Sequence, residues 1–188
     1  MKKLLILLFV SGMLNACTKE SDESLQPGSS SSAVQRVAAR PFKGTFYTTV
    51  DPATVNSLTY CSGDVPNFGV PGVLFHGSAT HLGDIIPELS TIQDANCNLS
   101  VQTMLLTTHG SGQIAANNGD LLFVTWDDAI DASAVLTQTG TTGTISGTWT
   151  ITGGTGRFTG ASGSFTISGP VDFATTSFQC EAVGTITY

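Results

Sequence analysis

The chain has 188 residues, 40% of them hydrophobic and only 11% charged, with 7 Lys and Arg against 14 Asp and Glu. A net charge of −7 with no Lys/Arg cluster leaves no footprint for nucleic acid and no electrostatic pull toward anionic lipid. Beyond the first 33 residues the chain is long enough for one domain with a proper core, since domains of ~150 residues bury roughly 70% of their unfolded surface.

Lys2 and Lys3 precede an apolar run, Leu4 to Leu14, far shorter than the ~20 residues that span a bilayer. The residues that follow, Leu14-Asn15-Ala16-Cys17, resemble a bacterial lipobox, in which the cysteine becomes the acylated N-terminus of the mature protein. The expectation is a lipoprotein signal peptide over 1–16 and a membrane anchor on Cys17, each buried CH₂ of which contributes about 0.8 kcal/mol. An ordinary secretory signal with a coincidental cysteine is the alternative. No aspartate follows Cys17, which in lipoprotein families favours the outer membrane. Glu20-Ser21-Asp22-Glu23 either resembles a signal for the cell surface or is a solvated linker. Residues 17–33, with the run Ser29 to Ser32, read as a flexible tether, and 34–188 as the folded domain.

Period-two patterns dominate the body of the chain. In Thr144 to Thr152 the apolar residues Ile145, Trp149 and Ile151 alternate with Ser and Thr, and Ser164 to Ser168 repeats the arrangement. Strands are predicted at 43–49, 70–76, 77–83, 98–108, 112–117, 120–126, 132–138, 143–152, 162–169 and 181–188. Asn118-Gly119 predicts a two-residue hairpin turn. The best helical stretch, Asp84 to Ala95, is broken by Pro87. Many short strands with glycine turns mean an all-β sandwich or barrel. The large aromatics, among them Phe46, Phe75, Phe123, Trp126, Trp149 and Phe165, are expected to fill the core or its outer packing faces.

With Cys17 acylated, Cys61, Cys97 and Cys180 remain, allowing three pairings with one thiol left over. Their spacing matches no zinc pattern. His76 and His81, five residues apart on one predicted strand, face opposite sides unless Gly77 introduces a bulge. Asp127, Asp128 and Asp131 read as a solvated strand-end turn rather than a calcium loop. No metal and no cofactor is expected. No Gly-x-Ser-x-Gly elbow is present, and the raw material for acid–base work would be Glu88 or Glu181, were they buried.

The densest local signal is Thr152-Gly153-Gly154-Thr155-Gly156-Arg157-Phe158-Thr159-Gly160-Ala161-Ser162-Gly163. It lacks the third glycine of a dinucleotide loop and the Gly-Lys of a phosphate loop, and reads as a tight reversal between antiparallel strands. Gly153, Gly154, Gly156, Gly160 and Gly163 are its turn residues. Phe158 is expected to fold back on the end of the sheet, with Arg157 toward solvent or an acidic neighbour. A strand running through this motif into another strand resembles the allene oxide cyclase and dirigent families and their bacterial secreted relatives. Ala79-Thr80-His81-Leu82-Gly83 and Ala115 to Asp120 also resemble recurring segments of those proteins.

The resemblance implies a closed, antiparallel, calycin-like barrel of about eight strands and, from the plant relatives, a homotrimer. It carries no catalytic residue across position by position. His81, Asp120 and Arg157 are the candidates for a special role. The functional expectation is a lipid-anchored envelope barrel that binds a small apolar ligand or serves a structural role, more binding protein than enzyme. The alternatives are a cyclase, isomerase or dirigent activity in the cavity, and a surface module for protein or glycan.

Overall fold

The computed structural model describes residues 38–188; the leader, Cys17 and the Ser-rich tether lie outside the described residues. Alternation of apolar and hydroxyl side chains sets the architecture, because each strand turns one set inward and the other to water. Twelve strands result among the described residues: β1 (Arg40–Val50), β2 (Thr59–Tyr60), β3 (Ser62–Gly63), β4 (Gly69–Val70), β5 (Val73–Ala79), β6 (Gly83–Asp84), β7 (Thr91–Ser100), β8 (Leu105–Ala115), β9 (Leu121–Asp131), β10 (Thr142–Gly154), β11 (Ser162–Asp172) and β12 (Ser177–Thr187). One turn of helix, α1 (Ser133–Leu136), and two short 3₁₀ turns at Pro87–Leu89 and Gly156–Phe158 complete the fold.

Ten strands form one sheet in the order β3-β7-β8-β9-β10-β11-β12-β1-β5-β6, and β2 pairs with β4 alone. The sheet is partly ring-bonded. Beside the long antiparallel hairpins, β5 also pairs with β7 through Val73–Ile92 and Leu74–Thr91, so the pairing path returns to its start. The inward residues form one core. Trp126, Trp149, Phe42, Phe46, Phe75, Phe158 and Phe165 are its largest members, all under 2% exposed. Burial of each stabilises the fold by roughly 1.5–3 kcal/mol or more. Of the aromatics expected in the core or on its outer packing faces, Phe123 is turned outward and stays 36% exposed, and the others named are buried.

The core aromatics run as a column along the sheet. Phe42 stacks on Phe165 at 4.6 Å, Phe165 meets Trp149 at 5.7 Å, and Trp149 stacks on Trp126 at 5.0 Å. One end of the column is stoppered by Phe158, fully buried edge-on to Tyr188, and by Leu82. The opposite end receives the long β1–β5 connection, the β11–β12 turn and α1.

Several expected elements differ. The strand predicted at 98–108 is two strands, since 101–104 turn back. There the Ser100 hydroxyl accepts the Thr103 N–H and the Asp64 carboxylate accepts the Val101 N–H. The strand predicted at 132–138 is replaced by α1, because the Asp131 carboxylate takes the Ser133 N–H at 2.9 Å and starts a turn. The segment 77–83 is not continuous: Leu82 N–H donates to the Ala79 carbonyl, and His81 adopts φ 71° in the resulting turn. The expectation that His76 and His81 share one strand therefore fails. The Asn118-Gly119 hairpin is closed by Ala116 and Asp120, a three-residue loop with Gly119 at φ 86°, rather than a two-residue one.

Of the three possible cysteine pairings, the structure contains Cys61–Cys97, with Cys180 a buried free thiol. The bridge ties the β1–β5 connection to the inward face of β7. Replacing Cys61 and Cys97 together by alanine is expected to cost about 3–4 kcal/mol, the value for a loop of this length. Equilibrium denaturant unfolding reads it, and an unchanged midpoint would contradict the clamp.

Candidate functional site

β9 carries Leu122, Val124, Trp126, Asp128 and Ile130 inward in strict alternation, so a carboxylate occupies a core position in an otherwise apolar row. Two glycines on the flanking strands make room for the row. Gly110 of β8 lies opposite Trp126, and Gly147 of β10 lies opposite Asp128. A methyl group at either position would collide with the indole or the carboxylate itself. On β7 a bulge between Asp94 and Asn96 shifts the register, so Ile92, Asp94, Cys97 and Leu99 all share the inward face.

The two carboxyls are held by the two indoles. Trp126 Nε1 donates to Asp94 Oδ1 at 2.8 Å, and Trp149 Nε1 donates to Asp128 Oδ1 and Oδ2 at 3.1 and 3.3 Å. The indoles stack with an interplanar angle of 24°. Burial pushes the Asp128 carboxyl up to about 7; the Trp149 hydrogen bond opposes the shift, while the charges of Asp94 and Asp127 add to it. Burial raises Asp94 as well, against hydrogen bonds from Trp126 and Thr108 and the nearby His109. Cys180 is pushed up to about 12 by burial and by Asp128, so it is a core thiol and not a nucleophile.

Beside these groups lies a cavity of about 270 Å³, at the end of the sheet where the β1–β5 connection enters. Its walls are apolar and aromatic, with Phe68, Leu106, Ile145, Val171, Phe173 and Phe178 among them. Asp94, Asp128 and Thr108 are its polar floor, Thr176 and Ser177 add hydroxyls to the wall, and no Lys, Arg or His lines it. This is a preformed, mostly apolar concavity with a few convergent polar groups, the usual form of a small-molecule site.

Asp128 was expected in a solvated turn and is instead 7% exposed on a strand. Asp127, its neighbour, points outward and pairs with His109 Nδ1 at 2.8 Å. Glu88 and Glu181, named as possible acid–base groups, are both exposed. The signal that could have found Asp128 was the even-numbered row of β9 continuing past Trp126, with a mid-strand glycine on the neighbouring strand.

The other candidates lie at the stoppered end. Asp120 and Arg157 meet there: the Asp120 carboxylate accepts the Arg157 backbone N–H at 3.2 Å, and the guanidinium stands 3.8 Å away. Hydrogen bonds from Asn118 and from that N–H lower the Asp120 carboxyl. The carboxylate occupies the space a side chain at Gly156 would need, so the pair pins one hairpin turn to the next. His81 donates from Nε2 to the Pro41 carbonyl at 3.0 Å and accepts the Tyr188 hydroxyl on Nδ1 at 3.1 Å. Gly153, Gly154, Gly156, Gly160 and Gly163 span the β10–β11 reversal, which contains the 3₁₀ turn around Phe158. Among the described residues no group of three or more His, Cys, Asp or Glu is placed to hold a metal ion.

Because Asp128 binds its proton more tightly folded than unfolded, the native state keeps a proton that the unfolded chain releases above its ordinary value of 3.8. Stability therefore falls as pH rises from ~4 to ~7 and levels off beyond, by on the order of 4 kcal/mol in all. Asp120, Asp131 and Asp172, all lowered, act in the other direction, and what they contribute is lost only as pH falls below the ordinary carboxylate range. In urea melts Asp128→Asn is expected to flatten the pH 4–7 slope and to outlast the parent at pH 8. A parent profile that is flat or rising over that window would contradict the buried charge.

Comparison with family models, with curated proteins and with solved structures found no match to this chain.

Proposed function

We infer that this is a lipid-anchored protein of the bacterial envelope whose ring of strands is a closed, calycin-like barrel holding a small, largely apolar molecule. The observation that carries the binding role is the 270 Å³ cavity with two carboxyls on its floor and apolar walls. Its volume falls just below the ~300–1,000 Å³ of drug-sized sites, so the occupant is small. Supporting the barrel are the inward alternation of every long strand and the β5–β7 pairing. Supporting the anchor and an outer-membrane or surface location is the lipobox-like Leu14-Asn15-Ala16-Cys17, with no aspartate after it. The glycine motif supports kinship with allene oxide cyclase and dirigent proteins, and through the plant members a homotrimer.

A second reading, an isomerase or cyclase, is favoured by one observation. Asp128 carries a carboxyl near 7 inside an apolar cavity, where a group that gives and takes a proton at neutral pH works best. The Trp149 N–H would then hold the carboxylate in place while it transfers that proton. A surface module without a ligand is the weaker reading, since the interior is not fully packed.

Binding is tested by thermal melting of the mature protein with 2-phenylethanol as a neutral probe. Near tenfold excess over its dissociation constant it should raise Tm by about 3–6 °C, the shift for ~1.4 kcal/mol in a domain of this size. Val135→Trp, which places an indole at the mouth from α1, should abolish the shift. No shift in the parent, or an equal shift in the variant, would contradict the site.

A further inference from the structure

We propose that the occupant of this cavity is a hydrophobic amine, bound as its ammonium ion between the Asp94 and Asp128 carboxyls and the aromatic wall. The proposal rests on the cavity being a ligand site, and hydrogen-bond accounting selects the chemistry. Each indole has one N–H, and both are already spent, Trp126 on Asp94 and Trp149 on Asp128. A carboxylate offers about four lone-pair positions, and Asp128 receives a single, shared N–H. The floor therefore presents acceptors in excess, while the hydroxyls of the lining are those of Thr108, Thr176 and Ser177. A carboxylate would meet two acids and no lining cation, and a ketone or ester would leave most of those acceptors unused. A ligand that brings several donors completes the set.

Charge points the same way. The two carboxyls line one cavity without a lining cation, and the charge of Asp94 adds to the cost of ionising Asp128. An ammonium ion takes the place of the proton on Asp128 and removes that cost. Charge-assisted N–H···O bonds are the strong ones, and desolvated cations are further held by aromatic faces. Trp126, Trp149, Phe68, Phe173 and Phe178 supply those faces within the same lining. The apolar remainder of the wall accommodates the body of the molecule, which keeps a bare inorganic cation from satisfying the site.

The test uses three probes of one shape on the mature protein: 2-phenylethylamine, 2-phenylethanol and phenylacetate, by isothermal titration calorimetry at neutral pH. The amine is expected to bind about 30-fold tighter than the alcohol, with phenylacetate not binding. Asp128→Asn should cut the amine's affinity about tenfold or more and leave the alcohol within about threefold. Asp94→Asn, at the less buried partner, gives the same reading should the first variant not fold. Equal binding of amine and alcohol, or preference for phenylacetate, overturns the amine and leaves the cavity standing as a site. Binding of none of the three overturns both.

Discussion

Two stacked indoles, each with its N–H on a buried carboxyl, are the interaction on which the interior depends. An uncompensated carboxylate in a core costs several kcal/mol, and one hydrogen bond from Trp149 only partly offsets that cost. The strands around it are arranged to tolerate it. Gly147 leaves the carboxylate its volume, Gly110 leaves Trp126 its volume, and the bulge in β7 turns Asp94 toward both. Filling either glycine with a methyl would move the indole or the acid, because the backbone of an eight-membered pairing ring, β7 to β12 with β1 and β5, has little room to shift. A core that keeps so unfavourable a group has spent stability on it, as functional sites do.

The two ends of the sheet have different tasks. At one end Phe158, Leu82 and Tyr188 seal the core, and Asp120, Arg157 and His81 brace the turns around them. At the other the chain leaves a space, roofed by the β1–β5 connection and clamped by Cys61–Cys97. Polar side chains at the sealed end pair with one another or with backbone. On the cavity floor Asp94 and Asp128 each take one indole N–H and keep further acceptor capacity. That contrast, rather than the glycine-rich motif, sets the cavity apart from the structural turns.

Much of the fold was legible in the chain. The alternation in Thr144–Thr152 and Ser164–Ser168 became β10 and β11, and the glycine motif became a reversal capped by a buried Phe158. The boundaries were less legible where side chains compete with the ladder. Ser100 and Asp131 capture backbone N–H groups and end strands that their hydrophobic pattern would have continued. The site was the least legible part. An acid in a row of apolar residues looks like the end of a strand, because sequence patterns count a carboxylate as solvated. Only the register, which sets Gly147 against Asp128 and Gly110 against Trp126, shows that space for it exists. The candidates that the sequence pattern offers, His81, Asp120 and Arg157, sit in turns with their partners already supplied.

The buried acid is read most directly by carbon-detected NMR of the aspartate carboxyls as a function of pH, followed alongside the Trp149 indole N–H resonance. The account predicts that Asp128 titrates near pH 7 and that the indole signal moves with the same midpoint. Titration of Asp128 among the exposed carboxylates, near pH 4, with an indole signal indifferent to it, would contradict the account.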